Sequence, residues 1–144
     1  MAKQLGKIRA RRCAVQALYQ WQMSGHEPHE IVRQFMNERD IGEIDEAYFS
    51  LLIREIPVSI AALERHLDGV LDRPITALDP VERAILAIGV HELLCHPDIP
   101  WRVVINEAVE LAKMFGAEQS HKYINGVLDK VARSLRTPET RSVS

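Results

Sequence analysis

Apolar residues recur at steps of three and four along most of this chain, and the breaks between such stretches divide it into helices. The pattern is clearest from Trp101 to Leu135. In its first half Val104, Ala108, Leu111 and Phe115, with Ile105 and Ala112 beside them, make one apolar stripe opposite Glu107, Glu110 and Lys113. Pro100 precedes the first turn, and Gly116 follows the last, where a residue free to take a positive φ is expected. The second half sets Ile124, Val127, Leu128, Val131 and Leu135 on one face, with Lys122, Asp129, Lys130 and Arg133 off it. A helical hairpin is predicted.

The same reading extends to the remainder of the chain. Residues 4 to 24 form a helix with Ile8, Val15, Leu18 and Tyr19 on its buried face and Ala14, Ala17 and Trp21 adjoining, closed by Gly25. Pro28 opens a second helix to about Glu38, with Ile31, Val32, Phe35 and Met36 inward, and residues 37–45 make a polar turn. A third runs from about Asp45 to Ile56. Pro57 then starts a fourth, Val58 to Leu71, carrying the ladder Ile60, Leu63, Leu67 and Leu71. After the interruption at residues 73–80, Asp79 and Pro80 act as N-cap and first-turn residue of a fifth helix. That helix is apolar over most of its circumference, through Val81, Ala84, Ile85, Leu86, Ile88, Val90 and Leu93, and so belongs in the centre. Residues 136–144 have no apolar periodicity and are expected to be disordered. With no alternating β pattern and no Gly-rich phosphate loop, the fold expected is an all-α bundle of about seven helices, a single domain over residues 1–135.

Composition adds a charge asymmetry. The formal net charge is only −2, from 18 basic and 20 acidic residues, which gives no global pull toward a polyanion. Yet Lys3, Lys7, Arg9, Arg11 and Arg12 all precede the first acidic residue, Glu27; without those five, 13 basic residues face 20 acidic ones. Lys3, Lys7 and Arg11 stand at i, i+4 spacing at a helix N-terminus, where like charges repel each other and oppose the macrodipole. Stability alone would place acids there, so this arm is read as an RNA-binding element, the alternative on these residues being a solvated, solubilising tail. Two distant cysteines, Cys13 and Cys95, show no disulfide framework, and no apolar run reaches membrane-spanning length. A cytoplasmic protein is expected, with no membrane partner.

No catalytic constellation and no cofactor site emerges. His91-Glu92-Leu93-Leu94-Cys95 approaches the H-E-x-x-H zinc motif but needs a third ligand, and His96 is expected to face elsewhere on the helix. His26 and His29 flank Pro28 and read as surface residues. Ser120 and His121 are sequence neighbours that do not face each other on a helix, and Ser120 is expected to cap the last helix. Tyr123, beside Lys122 and next to the apolar stripe of its helix, is read either as a core residue or as an aromatic face for single-stranded RNA; Tyr19 and Trp21 are assigned mainly to the core.

Residues 105–108 (INEA), 110–113 (ELAK), 115–118 (FGAE), 120–122 (SHK) and 125–130 (NGVLDK) resemble the C-terminal signature of the transcription antitermination factor NusB family. Residues 11–21 (RRCAVQALYQW) resemble its N-terminal signature. The resemblance implies two packed helical subbundles and a non-enzymatic role: binding boxA RNA with the ribosomal protein NusE, within the RNA polymerase antitermination complex, to support ribosomal RNA transcription. It implies RNA contacts by Lys3, Lys7, Arg9, Arg11, Arg12, Lys122 and Tyr123. It also places NusE against the second half of the chain, where Glu82 is the exposed acid off the Ile85, Ile88 core line. Two departures stand out, since Ala10 splits the arginine cluster and Gln119 occupies a place where the family often has an acid. The alternatives are a purely protein-binding scaffold and a NusB-like accessory domain of an RNA methyltransferase.

Overall fold

Helix boundaries are set by the groups that satisfy the first and last turns. A computed structural model describes residues 2–38, 42–116 and 119–141, with the side chains of residues 2, 3 and 38 outside that description. Among the described residues there are seven α-helices and no strand: α1 (Ala2–Ser24), α2 (Pro28–Glu38), α3 (Glu46–Arg65), α4 (Pro80–Cys95), α5 (Trp101–Phe115), α6 (Ser120–Leu135) and α7 (Thr137–Arg141), with a 3-10 turn at Ile75–Ala77. Two compact units divide at Ser59 and Ile60, a boundary that falls within α3.

Within the first unit α1 lies against α2. Gly25, at φ 71°, closes α1 with its N–H on the Trp21 carbonyl, a left-handed position that suits glycine. Asp45 caps α3 by accepting the Tyr48 N–H at 3.0 Å, and its own N–H donates to the Gly6 carbonyl. Phe35 and Phe49 meet with ring centroids 5.6 Å apart. The buried part of α1 is Ala10, Arg11, Cys13, Ala14, Val15, Ala17 and Leu18. Ile8 and Tyr19, expected inside, are 39% and 42% exposed, and Trp21 is half-buried. Side-chain size misled the reading, because the closest-packed positions of α1 are alanines.

Pro57 does not open a new helix but lies inside α3. It lacks the N–H that would reach the Ile53 carbonyl, a loss worth roughly 3 kcal/mol in an isolated helix. Burial of Phe49, Leu52, Ile53 and Ile56 before it and of Leu63 beyond it outweighs that cost. The helix instead stops at Arg65 and gives way to turns over residues 66–70, with Gly69 at φ 81°.

In the second unit α4, α5 and α6 pack on one another. The capped Asp79-Pro80 start of α4 is observed, and every residue from Ala84 to Leu93 is buried. Gly116 ends α5 without a positive φ: its φ is −97°. A Cβ there would stand 2.9 Å from the Ala112 carbonyl and 3.1 Å from the Ser120 Cβ, so glycine serves close approach.

The tail expected to be disordered is, as far as Arg141, the short helix α7. Arg136 is buried and donates to the carbonyls of Glu92, Leu93, His96 and Ile99 and to the Glu139 carboxylate. Glu139 in turn accepts the Trp101 N–H at 2.9 Å. Polar anchoring at the α4–α5 corner thus orders a segment with no apolar pattern to announce it; residues 142–144 lie outside the description.

Candidate nucleic-acid interface

The basic residues of α1 are not equivalent. Arg11 is only 5% exposed, and its guanidinium carbon stands 5.6 Å from the Tyr48 ring centroid. Lys7, one turn earlier, places its ammonium 5.1 Å from the same centroid. The negative face of Tyr48 accommodates two like charges that would otherwise repel at i, i+4. Arg9 donates from Nη1 to the Glu43 carbonyl at 3.1 Å, while Arg12 is partly exposed with no hydrogen bond or ion pair among the described residues. The side chain of Lys3 lies outside the description. Arg12 is therefore the least committed of the described cations on α1, and Arg11 is built into the first unit. Truncating both arginines together would remove a packed side chain as well as charge, and so would lower stability as well as RNA affinity.

A second group lies in the other unit. Lys122 is exposed near the start of α6. Tyr123 is half-buried, and its hydroxyl donates to Asp72 Oδ1 at 3.1 Å. Arg73 lays its guanidinium 4.6 Å from the Tyr123 centroid and grips both Asp72 oxygens, at 2.7 and 3.2 Å. Burial and the hydrogen bond to Asp72 push the Tyr123 hydroxyl above its ordinary value, and the Arg73 guanidinium holds the Asp72 carboxyl below its own. Asp72 and Arg73 carried no signal in the sequence, being about 50 residues from Tyr123 in a stretch without periodicity.

Glu82 has an intramolecular task. Its Oε1 accepts the Asp79 N–H at 3.3 Å while the Asp79 carboxylate accepts the Val81 N–H at 2.8 Å, a reciprocal box at the start of α4. Its Oε2 accepts the Ser120 hydroxyl at 2.7 Å. Ser120 is thus the first residue of α6 and a buried strut to α4, not an N-cap; Gln119 holds the cap position without a side-chain bond. Asp79, Val81, Glu82, Phe115, Gly116 and Ser120 line a groove of about 280 Å³.

His96, expected to face elsewhere, brings its Nε2 within 3.2 Å of His91 Nε2, because the chain leaves the helix at that residue and turns back. Among the described residues no three His, Cys, Asp or Glu side chains converge as a metal site. His26 and His29 are exposed, as expected. No described helix is long and apolar enough to cross a membrane.

Fold and surface together define a class: small all-helical proteins that display their charged and aromatic chemistry on helix faces. The model of the NusB family matches residues 8–133, and the chain belongs to that family. It is 54% identical over 136 residues to the transcription antitermination protein NusB of Nitrosococcus oceani, covering 94% of this chain and 91% of that protein. Over 127 residues it is 53% identical to the protein of that name from Pasteurella multocida, covering 88% of each. Among solved structures it is similar to T. maritima NusB, with a TM-score of 0.77 at 29% identity over 88% of this chain and 89% of that one. A structure of antitermination factors NusB and NusE in complex with double-stranded RNA matches with a TM-score of 0.79 at 28% identity, covering 88% of this chain and 96% of that one.

Proposed function

We propose that this protein is a non-enzymatic, cytoplasmic transcription antitermination factor. It binds boxA RNA together with the ribosomal protein NusE and supports processive transcription of ribosomal RNA operons. The observation that carries this reading is 54% identity, over nearly the whole of both chains, to a transcription antitermination protein. The similar fold solved with NusE and RNA supports the choice of partners. Lys3, Lys7, Arg9 and Arg12 supply phosphate contacts, Arg11 holds the helix that presents them, Lys122 and Tyr123 add a second contact, and the groove beside Glu82 faces NusE.

Fluorescence anisotropy with labelled boxA RNA, with and without NusE and across a salt titration, tests it. Binding is expected to tighten with NusE. Each phosphate contact on a single strand contributes about −0.7 to the slope of log affinity against log salt, so Arg12→Ala should weaken binding and flatten the slope by about that amount. Capture of NusE with no affinity for boxA RNA at any salt would overturn the reading and make the chain a protein-binding scaffold.

A further inference from the structure

Resting on that reading, we infer that Arg73 is a further RNA-contacting residue, held over the Tyr123 ring, and that Asp72 holds its fork as a carboxylate competitor of the RNA phosphate.

The Asp72–Arg73 pair sits in solvent, with 63% and 44% of its side-chain surfaces exposed. An ion pair of that exposure contributes little to stability, so folding alone gives weak reason to assemble it. What the assembly does achieve is orientation. The guanidinium carbon lies 4.6 Å from the Tyr123 ring centroid, and its Nε and Nη2 point together at two oxygens of one anion. That is the two-pronged geometry by which arginine recognises a phosphate, already formed around a carboxylate. Exchange of carboxylate for phosphate keeps the cation–ring contact and both hydrogen bonds while releasing the counterions of the RNA. Lys122, exposed on the same turn of α6 as Tyr123, adds positive charge beside it. Asp72 also accepts the Tyr123 hydroxyl, so one acidic side chain restrains both the aromatic ring and the cation lying on it. RNA affinity is then set partly by an internal acid, and the acid can be removed without touching the cation.

Four variants decide the matter: Asp72→Asn, Arg73→Ala, the combination of the two, and Arg73→Lys, each titrated with boxA RNA in the presence of NusE. Asp72→Asn keeps an acceptor for the Tyr123 hydroxyl but drops the charge. It should raise affinity about threefold to fivefold, the worth of an exposed ion pair, and steepen the salt slope by up to about 0.7. Arg73→Ala should weaken binding and flatten the slope by about 0.7. In the combined variant the gain from Asp72→Asn should vanish, because there is no fork left to release. Arg73→Lys should keep the slope but lose affinity, since an ammonium cannot grip two oxygens. The inference is overturned if Asp72→Asn gives the same gain with and without Arg73, which is what a general field effect predicts. It is equally overturned if Arg73→Ala titrates as wild type while Arg12→Ala does not; that result leaves the proposed function standing. Failure of the wild-type protein to bind boxA RNA overturns both.

Discussion

Arg11 and Arg12 are neighbours in the chain with opposite surroundings, because one helical step turns a side chain by about 100°. Residue type and spacing marked both as cations near a helix start; only the position of Tyr48 made Arg11 a packed group. Glu82 shows the same limit. Its place off the core line was legible, but the box with Asp79 and the bond to Ser120 turn it from a free surface acid into a strut. Charge reversal at Glu82 is consequently not a clean probe of partner binding. Glu82→Lys should lower stability by about 1–3 kcal/mol, from the lost cap and a buried serine hydroxyl left without its acceptor, measured by chemical denaturation. Unchanged stability would show that the box contributes nothing. Glu82→Gln drops the charge, keeps one acceptor oxygen, and leaves the Ser120 hydroxyl able to turn and accept from the new amide, so it is the better probe of NusE complementarity.

At the scale of elements, α4 and α6 each carry a glycine inside the helix, and the two have opposite roles. A Cβ at Gly89 would lie 2.7 and 2.9 Å from the methyls of Leu128, which is fully buried and cannot swing away. A Cβ at Gly126 would meet nothing within 4 Å. Gly89→Ala should therefore destabilise by about 1–3 kcal/mol through overpacking. Gly126→Ala should stabilise by about 0.5–1 kcal/mol through helix propensity alone. Thermal melts of the two variants moving in the same direction would contradict this account of how α4 and α6 meet. Periodicity located both helices but could not separate the two glycines, since it records which face is apolar and not how near the facing helix comes. The merging of two expected helices across Pro57 has the same origin: local propensity voted for a break, and burial on both sides of it decided otherwise.

For the molecule as a whole, the C-terminal segment carries the largest difference between expectation and structure. Arg136 gives four backbone carbonyls a donor near the end of α4, and Glu139 takes the N–H of the first residue of α5. Removing residues 136–144 would take that donor from all four; the Glu92 and His96 carbonyls would keep the His96 and Ile99 N–H groups, while those of Leu93 and Ile99 would lose the Arg136 bond. Arg136→Ala should cost about 3 kcal/mol or more, read by urea titration; an unchanged midpoint would mean that water replaces every bond. The Trp101 N–H first, then the Arg136 guanidinium, hold the Glu139 carboxyl below its ordinary value of 4.5. A lowered carboxyl stabilises above that ordinary value and loses its contribution as the pH falls through the lowered one. Stability should accordingly drop between about pH 4.5 and the acid side of it, and Glu139→Gln should flatten that part of the profile. Identical acid profiles for wild type and Glu139→Gln would remove Glu139 from the anchor.

The amino-acid sequence by itself determined the all-α class, the helical character of the stretches that became α1 to α6, though with a break at Pro57 that does not occur, and the identity of α4 as a buried helix, because helix periodicity and capping are local properties written in consecutive residues. It also placed five cations at the N-terminus and a tyrosine beside a lysine on α6. What only the tertiary structure decided was how those groups are engaged: Tyr48 under Lys7 and Arg11, Arg73 and Asp72 on Tyr123, Ser120 on Glu82, Arg136 beneath the α4–α5 corner. Each of these joins residues 37 to 51 positions apart or more than one turn removed, through contacts whose energy depends on distance and burial, and neither quantity has a counterpart in the order of residues along a chain.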